Sequence, residues 1–586
     1  MKLYTSILCT FLVIGILSSC GGKKDQTVHS SAAGGKSYGG EYRTNEAGEL
    51  RSLDPVGIND ATSHHIAAQI YDNLISFDEK LHITPELAET WEVSPDGLTY
   101  TYHLRKGVLF QDDPCFPNGK GRELVAEDVK YSFTRLCDIR TQTRGFGYFQ
   151  GKVVGVDEYF ESTRKAVEAQ KDPTITNIPG FVASDKYTFQ VKLTRAFSPF
   201  EYYPALGCMM IHPREAVEHY KKDFFQHPVG TGAFCFTSWT PDRECILTRN
   251  PKYWDKDESG NQMPYLDKIK FTFIKDLKSQ LLEFKQGNLD EAYRIPNEFF
   301  ADVVDLDGKV KGDYAKYQLL SLPALSTQFY GMLVPSKEFS DKRVRQAFSM
   351  AVDRERIIKY VLKGQAAGAG YSGIVPPSMP DYNNAGPITG YKFDIEKARQ
   401  LLAEAGYPNG KGFPTITFQL NSGGGRNLQV AEAVQSMLTE NLGVKVELKE
   451  VEWAKHLDEV DAGHSMFFRL GWVADYPDPE NFLNLCYGKI VPKDGSASPI
   501  NQARYNNPEF DKLFEQAVAT VDRTKRLELY RQAEQVAMND APMLILFYDA
   551  DYRLLQPNVE GYHNNPMDRR HYKYIWLNPL KSAGKR

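Results

Sequence analysis

The sequence predicts a mixed α/β protein built as two or more lobes, and three observations predict it. Segments of alternating apolar and polar residues exchange along the chain with segments whose apolar residues recur at helical spacing, so the repeating unit is strand, helix, strand. The 586 residues far exceed what one hydrophobic core serves. The composition, 42% hydrophobic and 25% charged, is that of a globular chain, and the net charge of −5 offers no basic patch for nucleic acid.

The N-terminus reads as an address followed by a tether. Ile7 to Leu17 is an apolar run of signal-peptide length after Lys2, too short to cross a bilayer, so no transmembrane helix is implied. Leu17-Ser18-Ser19-Cys20 has the small-residue spacing of a lipoprotein cleavage site and resembles the lipobox. Residues 1–19 are then the signal peptide and Cys20 the lipidated first residue of the mature chain. Gly, Ser and Lys from Gly21 to Ser37 cannot build a core, which makes 20–37 a flexible leash. The expected location is the cell envelope, lipid-anchored and facing the periplasm or the exterior.

Of 8 cysteines, six remain once Cys9 leaves with the signal and Cys20 takes lipid. An oxidising compartment permits bridges, and Cys235 and Cys245 flank the turn signal Thr240-Pro241-Asp242, where a hairpin would let them face each other. No Cys/His cluster suggests a metal, and nothing suggests a cofactor.

Taken in order, Thr62 onward places Ile66, Ile70 and Leu74 on one helical face. His64 and His65 are adjacent and point apart, which argues against a metal pair. Asp96-Gly97 is a turn before an alternating strand. Leu124 to Leu136 is a helix with acids in its first turn, the stretch 141–177 is indistinct, and Tyr187 to Leu193 is a strand. Gly230-Thr231-Gly232 serves backbone geometry, since no Gly-Lys-Ser/Thr follows to make a phosphate loop. A second alternating segment, Gln262 to Ile274, precedes a helix from Leu277 to Gln286. Ser340 onward is a capped helical region with Val344, Phe348, Ala351 and Val352 on one side, closed by Gly364. The Gly/Pro-rich loop from Gly364 to Gly390 is long enough to imply a function. Asp394 caps a helix to Ala405, with Gly406 at C′. Strand Thr415 to Leu420, helix Leu428 to Leu442 and strand Val444 to Val451 follow. The C-terminal part adds two helices to Asn539 and a strand from Pro542 to Tyr548.

The stretch richest in chemistry is Arg469-Leu-Gly-Trp472-Val-Ala-Asp475-Tyr476-Pro-Asp478, entered from the short buried strand Met466-Phe467-Phe468. Asp478, followed by Pro479, is a natural N-cap with Pro at N1. Asp475 has no evident backbone duty and is free to face a ligand between Trp472 and Tyr476, with Arg469 adding a cation. An acid and a base so placed suit a zwitterion. Enzyme signatures are missing: there is no Gly-x-Ser-x-Gly elbow, no His-Glu-x-x-His helix and no Cys/His nucleophile pattern. Two carboxylates three residues apart do not make a glycosidase pair when one is a cap.

On that segment, and on Pro85-Glu-Leu-Ala-Glu-Thr-Trp91 with Asp96-Gly97, on Leu124 to Leu136, on Gly230-Thr231-Gly232, on Ser340 to Ile358 and on Ala503-Arg-Tyr-Asn-Asn-Pro, the chain resembles the family 5 extracellular solute-binding proteins, the peptide-binding components of ABC importers. It departs in having Val473 where a Cys occurs in oligopeptide binders. The resemblance implies a two-lobed periplasmic-binding-protein-like fold of type II, in the large cluster with an extra subdomain. It implies lobe I over 38–321 with an inserted subdomain at about 80–185, lobe II over 322–525, and a return to lobe I over 526–586. It implies a monomer that holds a peptide's ammonium on Asp475 and its carboxylate on Arg469, beside Trp472 and Tyr476, and hands it to the permease subunits. Other members carry oligosaccharide, nickel chelate or haem, and a secreted hydrolase is the competing class.

Overall fold

The computed structural model describes residues 29–581 apart from 59, 144, 306–307 and 423–424, and of 384–385 the backbone alone. The signal segment 1–19, Cys20 and the tether up to residue 28 lie outside the described residues. The rest of the predicted leash is not one. Ser30–Ser31 pairs with Ser37–Tyr38, Ala33 N–H donates to Asn261 Oδ1 at 2.9 Å, and the Ser37 hydroxyl donates to the Leu577 carbonyl at 2.7 Å. Short polar side chains cannot form a core, but here they find acceptors on one that exists.

Three sheets organise the molecule. A four-stranded sheet runs Phe234–Thr240, Glu244–Arg249, Lys268–Thr272 and Glu41–Asn45, its last pair parallel. A second, antiparallel throughout, runs Ala88–Val93, Thr99–Leu104, Thr188–Lys192 and Phe181–Asp185. The largest is mixed, in the order Glu291–Tyr293, Met543–Leu555, Gln318–Met332, Phe467–Val473, Ile416–Asn421 and Val446–Val451, with Gly368–Ala369 added beside Met543–Leu555. Its parallel pairs are joined through the helices Gly425–Leu442 and Trp453–Asp461, as parallel strands require. This is the mixed α/β class that the alternation predicted, in the two-lobed form that the length and the resemblance implied.

Two long strands, Gln318–Met332 and Met543–Leu555, carry the chain between separate cores. Tyr330, Met332, Leu544 and Leu546 sit in one core with the Ile416–Val446 layer, while Leu555 packs with Tyr42 and Ile269. The strands pair antiparallel from Gln318 opposite Leu555 to Gly331 opposite Met543, but between Pro323 and Thr327 one strand spends four residues where the other, from Ala550 to Tyr548, spends two. Such a bulge bends and twists the ribbon midway between the cores.

The long Gly/Pro-rich loop is fastened onto that bulge. Thr327 Oγ1 donates to the Ile374 carbonyl at 2.9 Å, Ser378 Oγ to the Ala324 carbonyl at 2.7 Å, and Tyr548 OH to the Gly373 carbonyl at 2.7 Å. From the other side Glu534, in the helix Arg523–Asp540, accepts from the backbone N–H of Ile374 at 2.6 Å and Val375 at 2.8 Å and from Tyr382 OH at 2.6 Å.

Local rules explain the helix ends. Asp341 caps Lys342–Met350 and Asp394 caps Ile395–Glu404, each accepting a first-turn N–H. Gly406 takes φ +100° past the second helix. Gly230 and Gly232 are required by close approach: a Cβ at Gly230 would stand 2.2 Å from the Ile70 carbonyl oxygen, and one at Gly232 2.6 Å from its carbonyl carbon. Thr231 between them donates to Asp72 at 2.7 Å.

The predicted bridge between Cys235 and Cys245 does not form. In the hairpin Cys235 is opposite Thr248 and Cys245 opposite Trp239, and both thiols are free. Cys245 points into the core beside Leu247, whereas Cys235 is on the other face of the sheet and half-buried. Flanking a turn is not enough when the register places two residues on opposite faces.

Candidate functional site

The strand Phe467–Val473 pairs with Gln318–Met332 and delivers the Asp475 loop to the junction of three chain segments. Phe467 and Phe468 are buried, as their apolar run predicted. Arg469 is only half-buried; its guanidinium donates to Gln328 Oε1 at 2.6 Å and Asn421 Oδ1 at 3.2 Å. Burial, and the neighbouring Arg426, draw its pKa down. Beside it Arg426 is paired with Asp549 at 2.8 Å. Arg469 therefore keeps an unpaired positive charge among neutral acceptors, but no bond links it to Asp475.

Asp475 is solvent-exposed yet crowded by protein, the condition of a group on a concave wall. Asn481 holds it: the Asp475 N–H donates to Asn481 Oδ1 at 3.1 Å, and Asn481 Nδ2 donates to Asp475 Oδ2 at 3.3 Å. No cation among the described residues lies within ion-pair distance of the carboxylate. Crowding pushes its pKa up, against the Asn481 amide and the Arg569 charge, which pull it down. Trp472 is half-buried and spends its indole N–H on the same Asn481 oxygen, at 2.9 Å.

Tyr476 does not line the site as expected. It is 4% exposed, its hydroxyl is bonded to Glu480, and its ring stacks on Tyr202 at 6.3 Å and meets Tyr203 edge-on at 5.3 Å. The ring is packing between the two sides of the molecule. Asp478 is structural, as its Pro neighbour suggested. It is fully buried, accepts the Glu480 N–H at 2.9 Å, and lies 3.5 Å from Arg526, which also holds Glu201 at 2.6 Å.

One residue outside the sequence reading completes the geometry. Arg569 comes from the C-terminal segment, where its neighbours are tied into a buried ion network: Arg570 with Glu46 at 2.5 Å and Asp568 at 3.0 Å, and Asp568 with Arg553 at 2.6 Å. From that fixed backbone Arg569 donates to the Asp475 carbonyl at 3.0 Å, to the Ala205 carbonyl at 3.1 Å, and meets His64 Nε2 at 2.8 Å. Burial, and the Arg569 charge, push the His64 pKa well down, so its Nε2 accepts. The only sequence signal was an Asp-Arg-Arg run, which spacing alone cannot assign.

The model of the bacterial extracellular solute-binding proteins, family 5, matches residues 82–491. Heme-binding protein A of Haemophilus influenzae is 30% identical over 88% of this chain and 88% of its own, and the periplasmic oligopeptide-binding protein OppA of Salmonella typhimurium is 30% identical over 91% and 92%. The periplasmic binding protein DppA of Helicobacter pylori, solved with the peptide STSA, superposes with TM-score 0.71 at 26% identity over 92% of this chain and 98% of that one. The chain belongs to the family 5 bacterial extracellular solute-binding proteins.

Proposed function

We propose that this protein captures peptides between its lobes for an ABC importer, with the peptide ammonium on Asp475, and that Cys20 carries the lipid that keeps it at the membrane. The observation that carries the reading is the Asp475 carboxylate, exposed, oriented by Asn481 and without an ion-pair partner among the described residues. A relative named for oligopeptides and a solved neighbour holding STSA support the same ligand class. A charge-assisted hydrogen bond to the ammonium is worth roughly 1.5–3 kcal/mol and fixes the peptide's start. Backbone pairing to a strand edge would hold the rest without reading side chains.

Hinge motion follows from two crossings. In this reading the lobes meet at the bulge Pro323–Thr327 and at Tyr548–Ala550, so the chain returns to lobe I within Met543–Leu555 rather than near 526, and the inserted subdomain carries the sheet Ala88–Lys192. Ligand contacts made by both lobes exist only when they close, so binding shifts the equilibrium toward a shape that the permease subunits read.

The relative named for haem gives a second reading on equal identity. Native mass spectrometry of protein purified without refolding separates the two. A series of peptide masses is the expected result; a visible-absorbing tetrapyrrole, or a sugar, in their place overturns the peptide reading.

A further inference from the structure

Arg569 is a cation with no carboxylate at ion-pair distance among the described residues. Its hydrogen-bond partners among the described residues are three neutral acceptors, the Asp475 and Ala205 carbonyls and His64 Nε2, with the Phe77 ring centroid 5.8 Å from the guanidinium, which leaves two of its five N–H groups without a bond there. The side chain is half-buried. It borders a small cavity with His64, Phe77, Glu86, Ala205 and His571, and that cavity shares Phe77, Glu86 and His571 with an open groove of about 500 Å³, within the size range of small-ligand sites.

The charges around it do not compensate it. Those that bear on it are Asp475 and Glu86, with Tyr148 and Cys208 on the remaining sides. Burial and the adjacent Asp72 raise the Glu86 pKa to about 8, so Glu86 is largely neutral at pH 7. Asp475 is thus the nearest counter-charge. A ligand that brings only an ammonium to Asp475 cancels that charge and leaves Arg569 desolvated and alone, which is costly. A ligand that brings an anion as well removes the cost.

We propose that Arg569 is the anion-binding half of the site, so that Asp475 and Arg569 together read a short zwitterion, the ammonium and free carboxylate of a dipeptide-sized ligand. The inference rests on the peptide reading above and deepens it. Because Arg569 is bonded to the carbonyl of Asp475 itself, its positive charge stands beside the same residue that takes the ammonium, which suits a short zwitterion. Arg469, six residues up the strand, is up to about 20 Å away along the backbone, and would serve a much longer peptide.

The test is calorimetric titration with alanyl-phenylalanine, its C-terminal amide, its N-acetyl form, and penta-alanine with its amide, against the wild type, R569Q and R469Q. The expected result is that the free dipeptide binds wild type at least about tenfold tighter than its amide, the lower end of a charge-assisted bond. R569Q erases that ratio, R469Q preserves it, and any preference for penta-alanine over its amide is left unchanged by R569Q. Equal affinity of acid and amide in the wild type overturns the proposal without any variant, as does a ratio that survives R569Q or vanishes in R469Q. Loss of binding on N-acetylation reports the Asp475 end alone, so it can hold while the Arg569 assignment fails; no binding by any of these peptides removes both.

Discussion

One amide, Asn481, bonds both the backbone and the carboxylate of Asp475, its oxygen taking the Asp475 N–H at 3.1 Å and its nitrogen reaching Oδ2 at 3.3 Å. The same oxygen takes the Trp472 indole at 2.9 Å. A neutral side chain thus fixes the direction of a charged one without neutralising it. That separates Asp475 from Asp478 three residues on, whose charge is already spent on Arg526.

Asp475→Asn is expected to lower peptide affinity at least about tenfold, the loss of one charge-assisted hydrogen bond. The thermal midpoint at pH 7 should stay level or rise, because crowding disfavours the native carboxylate and Asn removes that cost. Calorimetric titration alongside thermal melts checks both halves. Undiminished affinity would take Asp475 out of the site.

Asp478→Asn should behave in the opposite way. It breaks a fully buried charge contact and leaves Arg526 with Glu201 alone, for which about 3 kcal/mol of lost stability is expected. Peptide affinity of the protein that remains folded should match wild type. Urea unfolding and titration of the same preparation decide it; a variant as stable as wild type shows that Asp478 does no structural work.

The contrast between the two acids was legible from sequence because Pro479 follows one of them and not the other. Capped helices were legible for the same reason, since Asp341, Asp394 and Gly406 act on their nearest neighbours. The helix Val156–Ala169 was not, because its buried face includes Ser162, Thr163 and Ala166, which an apolar count passes over. Nor was the extension of the last long strand beyond Tyr548, where the buried charge of Arg553 is met at 2.6 Å by Asp568 and, from more than 260 residues away, at 2.6 Å by Glu291. Arg569 was illegible on similar grounds: its partners His64, Ala205 and Asp475 come from three distant segments, and no local pattern encodes such a meeting.

The cysteines give a test of the hairpin register. With all six described thiols unbridged, maleimide labelling in denaturant without prior reduction should modify every one of these six, and reductant should leave the thermal midpoint unchanged. A midpoint that falls on reduction would mean that two of them are joined, and that the placement of Cys235 and Cys245 on opposite faces is wrong.

Glu534 should make stability depend on pH around neutrality. It is fully buried with no cation at ion-pair distance among the described residues, and burial raises its pKa to about 7 against the pull of Tyr382 and the two loop N–H groups. The native state therefore keeps a proton that the unfolded chain releases near pH 4.5. Below that pH both states are protonated and the group has no effect; as pH rises toward 7 the native state binds more protons than the unfolded one, so stability falls, and above 7 the full cost is present. Glu534→Gln keeps an oxygen for the Ile374 and Val375 N–H groups and cannot ionise. It should match wild type at pH 4.5 and exceed it by roughly 3 kcal/mol at pH 8, the equivalent of the shift between 4.5 and about 7. Urea denaturation of both proteins at the two pH values gives the four stabilities, and parallel pH profiles would show that Glu534 is ionised in the fold by a partner other than those seen at the bulge.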